Sequence, residues 1–189
     1  MKNHHRSVAS VLMIGAIFIS SSALGQKPNK KLIERGQYLV TLGGCNDCHT
    51  PKKMGPKGPE MDETRLLSGH PAHEPLPEIP KDVLAPDKWA AITNMHLSAW
   101  VGPWGVSFAR NLTPDIETGI GSWTEQVFIK ALRTGKDMGE GRPILPPMPW
   151  ENFAKLTDAD LKAIFAYLKS IPAVKNAVPE PMPPMGEKK

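Results

Sequence analysis

Five consecutive residues, Cys45-Asn46-Asp47-Cys48-His49, constrain this 189-residue chain more than any other feature. Cys45 and Cys48 are its only two cysteines. Two cysteines exclude a disulfide-built scaffold, a four-cysteine zinc site and a four-cysteine iron–sulfur cluster within the chain. Spaced three apart on one helical turn, the thiols can each form a thioether to a vinyl arm of one haem. The histidine that follows can then reach the iron as an axial ligand. Other chemistries also use Cys-x-x-Cys. A thiol–disulfide oxidoreductase would be expected beside a βαβ pattern, and none is visible. A zinc site would need two further ligands from histidine or carboxylates. The adjoining histidine and the character of the N-terminus favour covalent haem c attachment.

Residues 1–25 read as a signal peptide. Lys2 and Arg6 precede a mostly apolar run from Val8 to Ile19, and Ala23-Leu24-Gly25 offers a cleavage site before Gln26. The run is shorter than the ~20 residues a membrane-spanning helix needs. An exported, periplasmic protein without a stable membrane span is therefore expected. Residues 26–178 form one domain in this reading, and 179–189 a proline-rich, flexible tail. Loss of Lys2 and Arg6 would lower the net charge from +4 to about +2, which gives no support for nucleic-acid binding.

Helical periodicity is clearest at three places. Lys30 to Leu42 reads as a helix ended by Gly43-Gly44. Ser122 to Thr134 is a second, capped by Ser122, with Val127, Phe128, Ala131 and Leu132 on one face. Thr157 to Ser170 is the third, with a Thr157–Asp160 capping box and Leu161, Ile164, Phe165 and Leu168 along one side. Asp87 to Leu97 is expected to form a short helix, and no strand is expected anywhere.

Proline makes up 20 of the 189 residues, about twice the ~5% of average chains. Eight prolines fall between Pro51 and Pro86, in a loop-like stretch, and four between Pro143 and Pro149. One Cys-x-x-Cys-His motif implies one haem, so a second axial ligand must come from elsewhere. Candidates are His70, His73 and His96, or one of the methionines. Met148 stands out because Pro146-Pro147-Met148-Pro149-Trp150 is stiff and non-helical, and can hold a thioether with little freedom to lose.

The order of helix, Cys-x-x-Cys-His, loops, helix, methionine loop and terminal helix resembles the monohaem class I cytochromes c. The stretches Asn111-Leu112-Thr113-Pro114-Asp115, Gly119-Ile120-Gly121-Ser122-Trp123-Thr124-Glu125, Ala131-Leu132-Arg133-Thr134-Gly135 and Pro147-Met148-Pro149 sharpen it. They are similar to bacterial cytochromes c and to the cytochrome c domains of alcohol and aldehyde dehydrogenase subunits. The resemblance covers residues 32–50 and 110–175, and is poor over 51–109. It implies an all-α fold: three to five helices around one covalent haem, with a long proline-rich insertion at 51–109. It also implies that Cys45 and Cys48 hold the haem, with His49 as proximal and Met148 as distal ligand. Trp123 would lie beside a haem propionate, or else serve as a core aromatic, and Asn111 and Leu112 would line the haem. Gly36 and Val40 should meet Ile164 and Tyr167 where the first and last helices cross. Relatives often carry proline just before the Asn-Leu pair, and its carbonyl accepts the proximal imidazole N–H. Arg110 stands there in this chain.

The expected function is one-electron transfer to or from a redox partner protein, a dehydrogenase, reductase or oxidase, with no catalytic residues. Two haem alternatives are a five-coordinate sensor or peroxidase-like protein, and a haem subunit of a dehydrogenase complex. The insertion either packs over a haem edge, docks the partner, or supplies His70, His73 or His96 as a replacement for Met148.

Overall fold

The computed structural model describes residues 29–80, 82–85 and 87–184. The signal-peptide expectation lies outside the described residues. Helix α1 spans Lys30–Leu42, with the Asn29 side chain accepting from the Leu32 N–H as its cap. Gly43 closes it by donating its N–H to the Leu39 carbonyl at 2.8 Å. Helix α2, Cys45–His49, follows at once.

The expectation of an all-α fold is overturned. Besides its five helices the described chain holds two small antiparallel sheets, all inside the 51–109 insertion. Strands β1 (Lys52–Gly55) and β2 (Gly58–Met61) make a hairpin. Strands β3 (Ile92–Thr93), β4 (Ala99–Gly102) and β5 (Gly105–Phe108) make a three-stranded meander. Each strand is only two to four residues long. Segments this short give the period-two alternation no room to show in sequence.

No helix forms over Asp87 to Leu97. Ile92 and Thr93 pair with Val101 and Trp100 instead. The Asn94 side chain accepts from the N–H groups of Ser98 and Ala99, closing a turn. Leu97 sits in the left-handed region at φ 57°, which a right-handed helix does not admit.

Helix α3 (Glu125–Thr134) begins three residues later than its sequence suggests. Thr124, not Ser122, caps it by accepting from the Val127 N–H. Ser122 is used up in the turn where the Trp123 N–H donates to the Ile120 carbonyl. A short helix α4 covers Trp150–Phe153, and α5 covers Asp158–Leu168, capped as expected by Thr157 on the Asp160 N–H.

The core lies where α1, α3 and α5 meet. It is built from Leu39, Val40, Phe128, Leu132, Leu161, Ile164, Phe165 and Leu168, with Leu67 and Ile120 from the loops. At the α1–α5 crossing Gly36 lies directly against the Ala163 carbonyl and the Tyr167 Cβ. Arg35 pairs with Asp160 at 2.9 Å beside it. The insertion packs against the far side of α2, and its last strand is extended by Met182, which pairs with Val106 through two backbone hydrogen bonds.

Candidate functional site

Helix α2 is short and held from both ends. Gly44, left-handed at φ 64°, turns the chain from α1 into it, a conformation that glycine adopts without strain. At the other end the Gly69 N–H donates to the His49 carbonyl at 2.7 Å. Thr50 donates its hydroxyl to Asn46 Oδ1 and accepts from the Leu67 N–H.

The Cys45 thiol is pushed up to about 11 by burial, with Asp47 and Cys48 adding to the effect. Burial, then Asp47, also raises Cys48. Thiols built for disulfide exchange are shifted the other way, because the thiolate is the reactive form. Burial thus moves both thiols away from the thiolate form that disulfide exchange uses. Among the described residues no group of three or more His, Cys, Asp and Glu side chains gathers as a metal site.

His49 is buried, and its Nδ1 lies 2.7 Å from the Arg110 carbonyl oxygen. A carbonyl only accepts, so Nδ1 carries the proton and donates, leaving the Nε2 lone pair free. Burial lowers the pKa of the ring, against the opposing effect of the Arg110 carbonyl, and favours the neutral form that binds metals.

Cys45, Cys48 and His49 line one large cleft together with Leu112, Trp123 and Met148. About 1350 Å³ of atom-free space lies in it, including its open mouth. Its walls are apolar: Phe128, Ala131 and Leu132 from α3, Ile164 and Leu168 from α5, and Ile144 to Pro149 around Met148. The peptide bond between Pro146 and Pro147 is cis. Ser107 of β5 donates to the Pro146 carbonyl at 2.5 Å and so ties the insertion to the methionine loop.

Two cations line the cleft, Arg110 and Arg142. The Arg110 guanidinium lies 4.8 Å from the Trp123 ring and donates through Nη1 to Asp137 at 2.5 Å. Its Nε is buried with no acceptor among the described residues. An unsatisfied guanidinium donor at the edge of an apolar cleft suits a ligand that carries carboxylates. Two thiols, one imidazole, one thioether, apolar walls and two arginines together fit a haem, and these residues would hold it.

The structure does not bring every expected residue to the cleft. Asn111 is fully buried behind the wall. Its Nδ2 donates to the Val174 carbonyl at 2.8 Å, and its Oδ1 accepts from Thr113 N–H and hydroxyl. None of His70, His73 and His96 lines the cleft. His70 is buried against Ser98, and His96 is buried between Lys52 and Glu74. Trp100, Phe108, Asp137 and Arg142 do line it and were not among the site residues expected from sequence. Trp100 and Phe108 arrive there on β4 and β5, whose strand character the sequence hides. Asp137 and Arg142 are brought together by a backbone bond from the Asp137 N–H to the Arg142 carbonyl.

No family model matches the chain. It is 40% identical over 148 residues to a nicotinate dehydrogenase subunit of Pseudomonas putida, an alignment covering 78% of this chain. It is 30% identical over 186 residues, 95% of the chain, to the cytochrome c subunit of the quinone alcohol dehydrogenase of Gluconobacter oxydans. A diheme cytochrome c-type protein of Cereibacter sphaeroides is 30% identical over 144 residues, 75% of the chain. The chain is a relative of bacterial cytochromes c. It resembles in particular those that serve dehydrogenases as cytochrome subunits. It spans only 9%, 30% and 36% of the length of these three relatives. Among the described residues no helix is long and apolar enough to cross a membrane.

Proposed function

We propose that this cytochrome c relative is a periplasmic one-electron carrier with a single covalent haem c. The observation that supports this most is the convergence of Cys45, Cys48, His49 and Met148 on one apolar cleft. Cys45 and Cys48 would form the thioethers, and His49 through Nε2 and Met148 through its sulfur would hold the iron. When bound, the haem would supply a one-electron Fe(II)/Fe(III) couple. The protein's part is to fix both ligands, exclude water from the apolar walls and compensate the carboxylates with Arg110 and Arg142. The chain carries one Cys-x-x-Cys-His motif, which supports one haem, although one relative is named diheme. Relatives that are subunits of nicotinate and alcohol dehydrogenases support a dehydrogenase as the electron donor, docked or in a complex.

The test is the mass and visible spectrum of the protein expressed with haem-maturation machinery. A haem adduct is expected, with a weak far-red charge-transfer band in the ferric form that marks methionine–iron ligation. Met148→Ala should keep the haem and lose that band. A high-spin wild-type spectrum, or an unchanged band in the variant, would refute the distal assignment. Cys48→Ala should still attach haem through Cys45 alone, at lower yield. A double Cys45→Ala, Cys48→Ala protein should carry no covalent haem by mass after acid-acetone extraction.

A further inference from the structure

Lys52, the first residue of β1, has a buried ammonium that meets no carboxylate among the described residues. Its Nζ instead donates to backbone carbonyls. Asp47 O lies at 2.6 Å and Thr50 O at 2.8 Å, with Asn46 O and His96 O both at 3.4 Å. Three of the four belong to α2 and its C-terminal cap. A lysine is rarely buried without a counter-ion, because removing the charge from water is costly. Here the carbonyls at the negative end of the haem-motif helix take the place of a carboxylate.

The insertion holds this charge in place. The Lys52 backbone N–H donates to His96 Nδ1 at 2.8 Å. Because Nδ1 accepts, Nε2 carries the imidazole proton, and it donates to Glu74 at 2.6 Å. His96 is thus neutral, and the balancing carboxylate stands on the half-exposed rim, one residue further out. The cation next to α2 is Lys52, and the Asp47 carboxylate of α2 itself acts on it in the opposite sense. Burial is the main influence on this ammonium and pulls its pKa below the usual lysine range. Lys52 is also one of the charges that act on the His49 ring.

We propose that Lys52 sets the reduction potential of the site: its fixed positive charge, clamped against α2 by His96 and Glu74, favours the reduced iron. Reduction adds one electron, delivered by the redox partner, and lowers the charge at the iron by one. A cation held in a poorly screened position against the helix that carries His49 stabilises the product of that step. This gives the insertion, through Lys52, His96 and Glu74, an electrostatic role rather than a ligand-supplying one. It rests on the covalent-haem reading above.

Spectroelectrochemical titration of the holoprotein tests it. Lys52→Met should lower the midpoint potential with the methionine–iron band retained. The expected size is about tenfold in the ferrous-to-ferric ratio at a fixed ambient potential, or ~59 mV for a one-electron couple. Lys52→Arg, which keeps the charge, should stay within about threefold of wild type. Glu74→Gln removes the rim anion, and should shift the potential the opposite way to Lys52→Met, by less. A mere loosening of the network would move both variants in the same direction, and that result would overturn the proposal. So would an unchanged midpoint in Lys52→Met. Should Lys52→Met fail to mature, the sign of the Glu74→Gln shift decides alone. A wild-type protein without haem would instead overturn the covalent-haem reading, and this proposal with it.

Discussion

Replacing His49 by alanine is expected to leave no stable haem protein, although the chain is still synthesised. The reason lies in how few alternatives the fold offers. His49 ends a five-residue helix, its ring is buried, and its Nδ1–H is spent on the Arg110 carbonyl. The other three histidines of the described chain do not line the cleft; His96 is held at both ring nitrogens, and His70 is buried with Nδ1 on Ser98. Nothing nearby can step in as the proximal ligand. The truncation also leaves the Arg110 carbonyl without its donor in a buried place, a cost of about 1–3 kcal/mol. Haem absorbance of the purified fraction, against the amount of chain detected by antibody or tag, measures the loss. Wild-type haem content in His49→Ala would contradict the proximal assignment. The single cysteine variants should be milder, since each keeps one thioether and the imidazole.

Gly36→Ala is expected to destabilise the protein by about 2 kcal/mol, against what helix propensity alone predicts. In an exposed helix interior the same change stabilises by about 1 kcal/mol, since glycine loses more backbone freedom on folding. At Gly36 the new Cβ would run into the Ala163 carbonyl oxygen, and come within 2.6 Å of the Ala163 carbonyl carbon and 2.7 Å of the Tyr167 Cβ. These are backbone and Cβ atoms, so no rotamer change relieves the contact, and α1 must move away from α5. Overpacking of this kind costs about 1–3 kcal/mol or more. The shift would also strain the Arg35–Asp160 pair beside the crossing. A fall of ~4–8 °C in the melting temperature of the holoprotein corresponds to it. Gln37→Ala, one residue along on the exposed side, should stay within about 0.5 kcal/mol of wild type. A melting temperature for Gly36→Ala equal to or above wild type would mean that the helices do not cross at this glycine.

Local chemistry explains why some elements were legible. Helices α1 and α5 carry their own start and stop signals, Asn29 and Gly43 for one, Thr157 for the other, and their apolar faces repeat over three turns. At the crossing Gly36 meets Tyr167, and Ala163 besides, while Val40 and Ile164 share the core cluster. The insertion failed because its structure is not local. Ile92 and Thr93 look like part of a helical run until β4 arrives to pair with them, and Leu97 is forced left-handed by the turn between them. Asn111 was expected at the haem on the strength of its neighbours, yet it points the other way and knits residues 113, 118 and 174 together.

The case for the chemistry is local. Two thiols and an imidazole within five residues need only one helical turn to act together, so the roles proposed for them rest on spacing. Proline on both sides of Met148 restricts the loop whatever surrounds it. Which other groups share the cleft and which are kept out depends on long-range packing. Arg110 reaches Asp137 across 27 residues, and Lys52 meets His96 across 44. Contacts at such separations are fixed by packing and by the need of buried polar groups for partners, neither of which leaves a pattern in the neighbouring residues. The three spare histidines show the difference. In sequence each was a free candidate ligand; in the fold two are buried in the hydrogen bonding of the insertion, and the third, His73, lies exposed and away from the cleft.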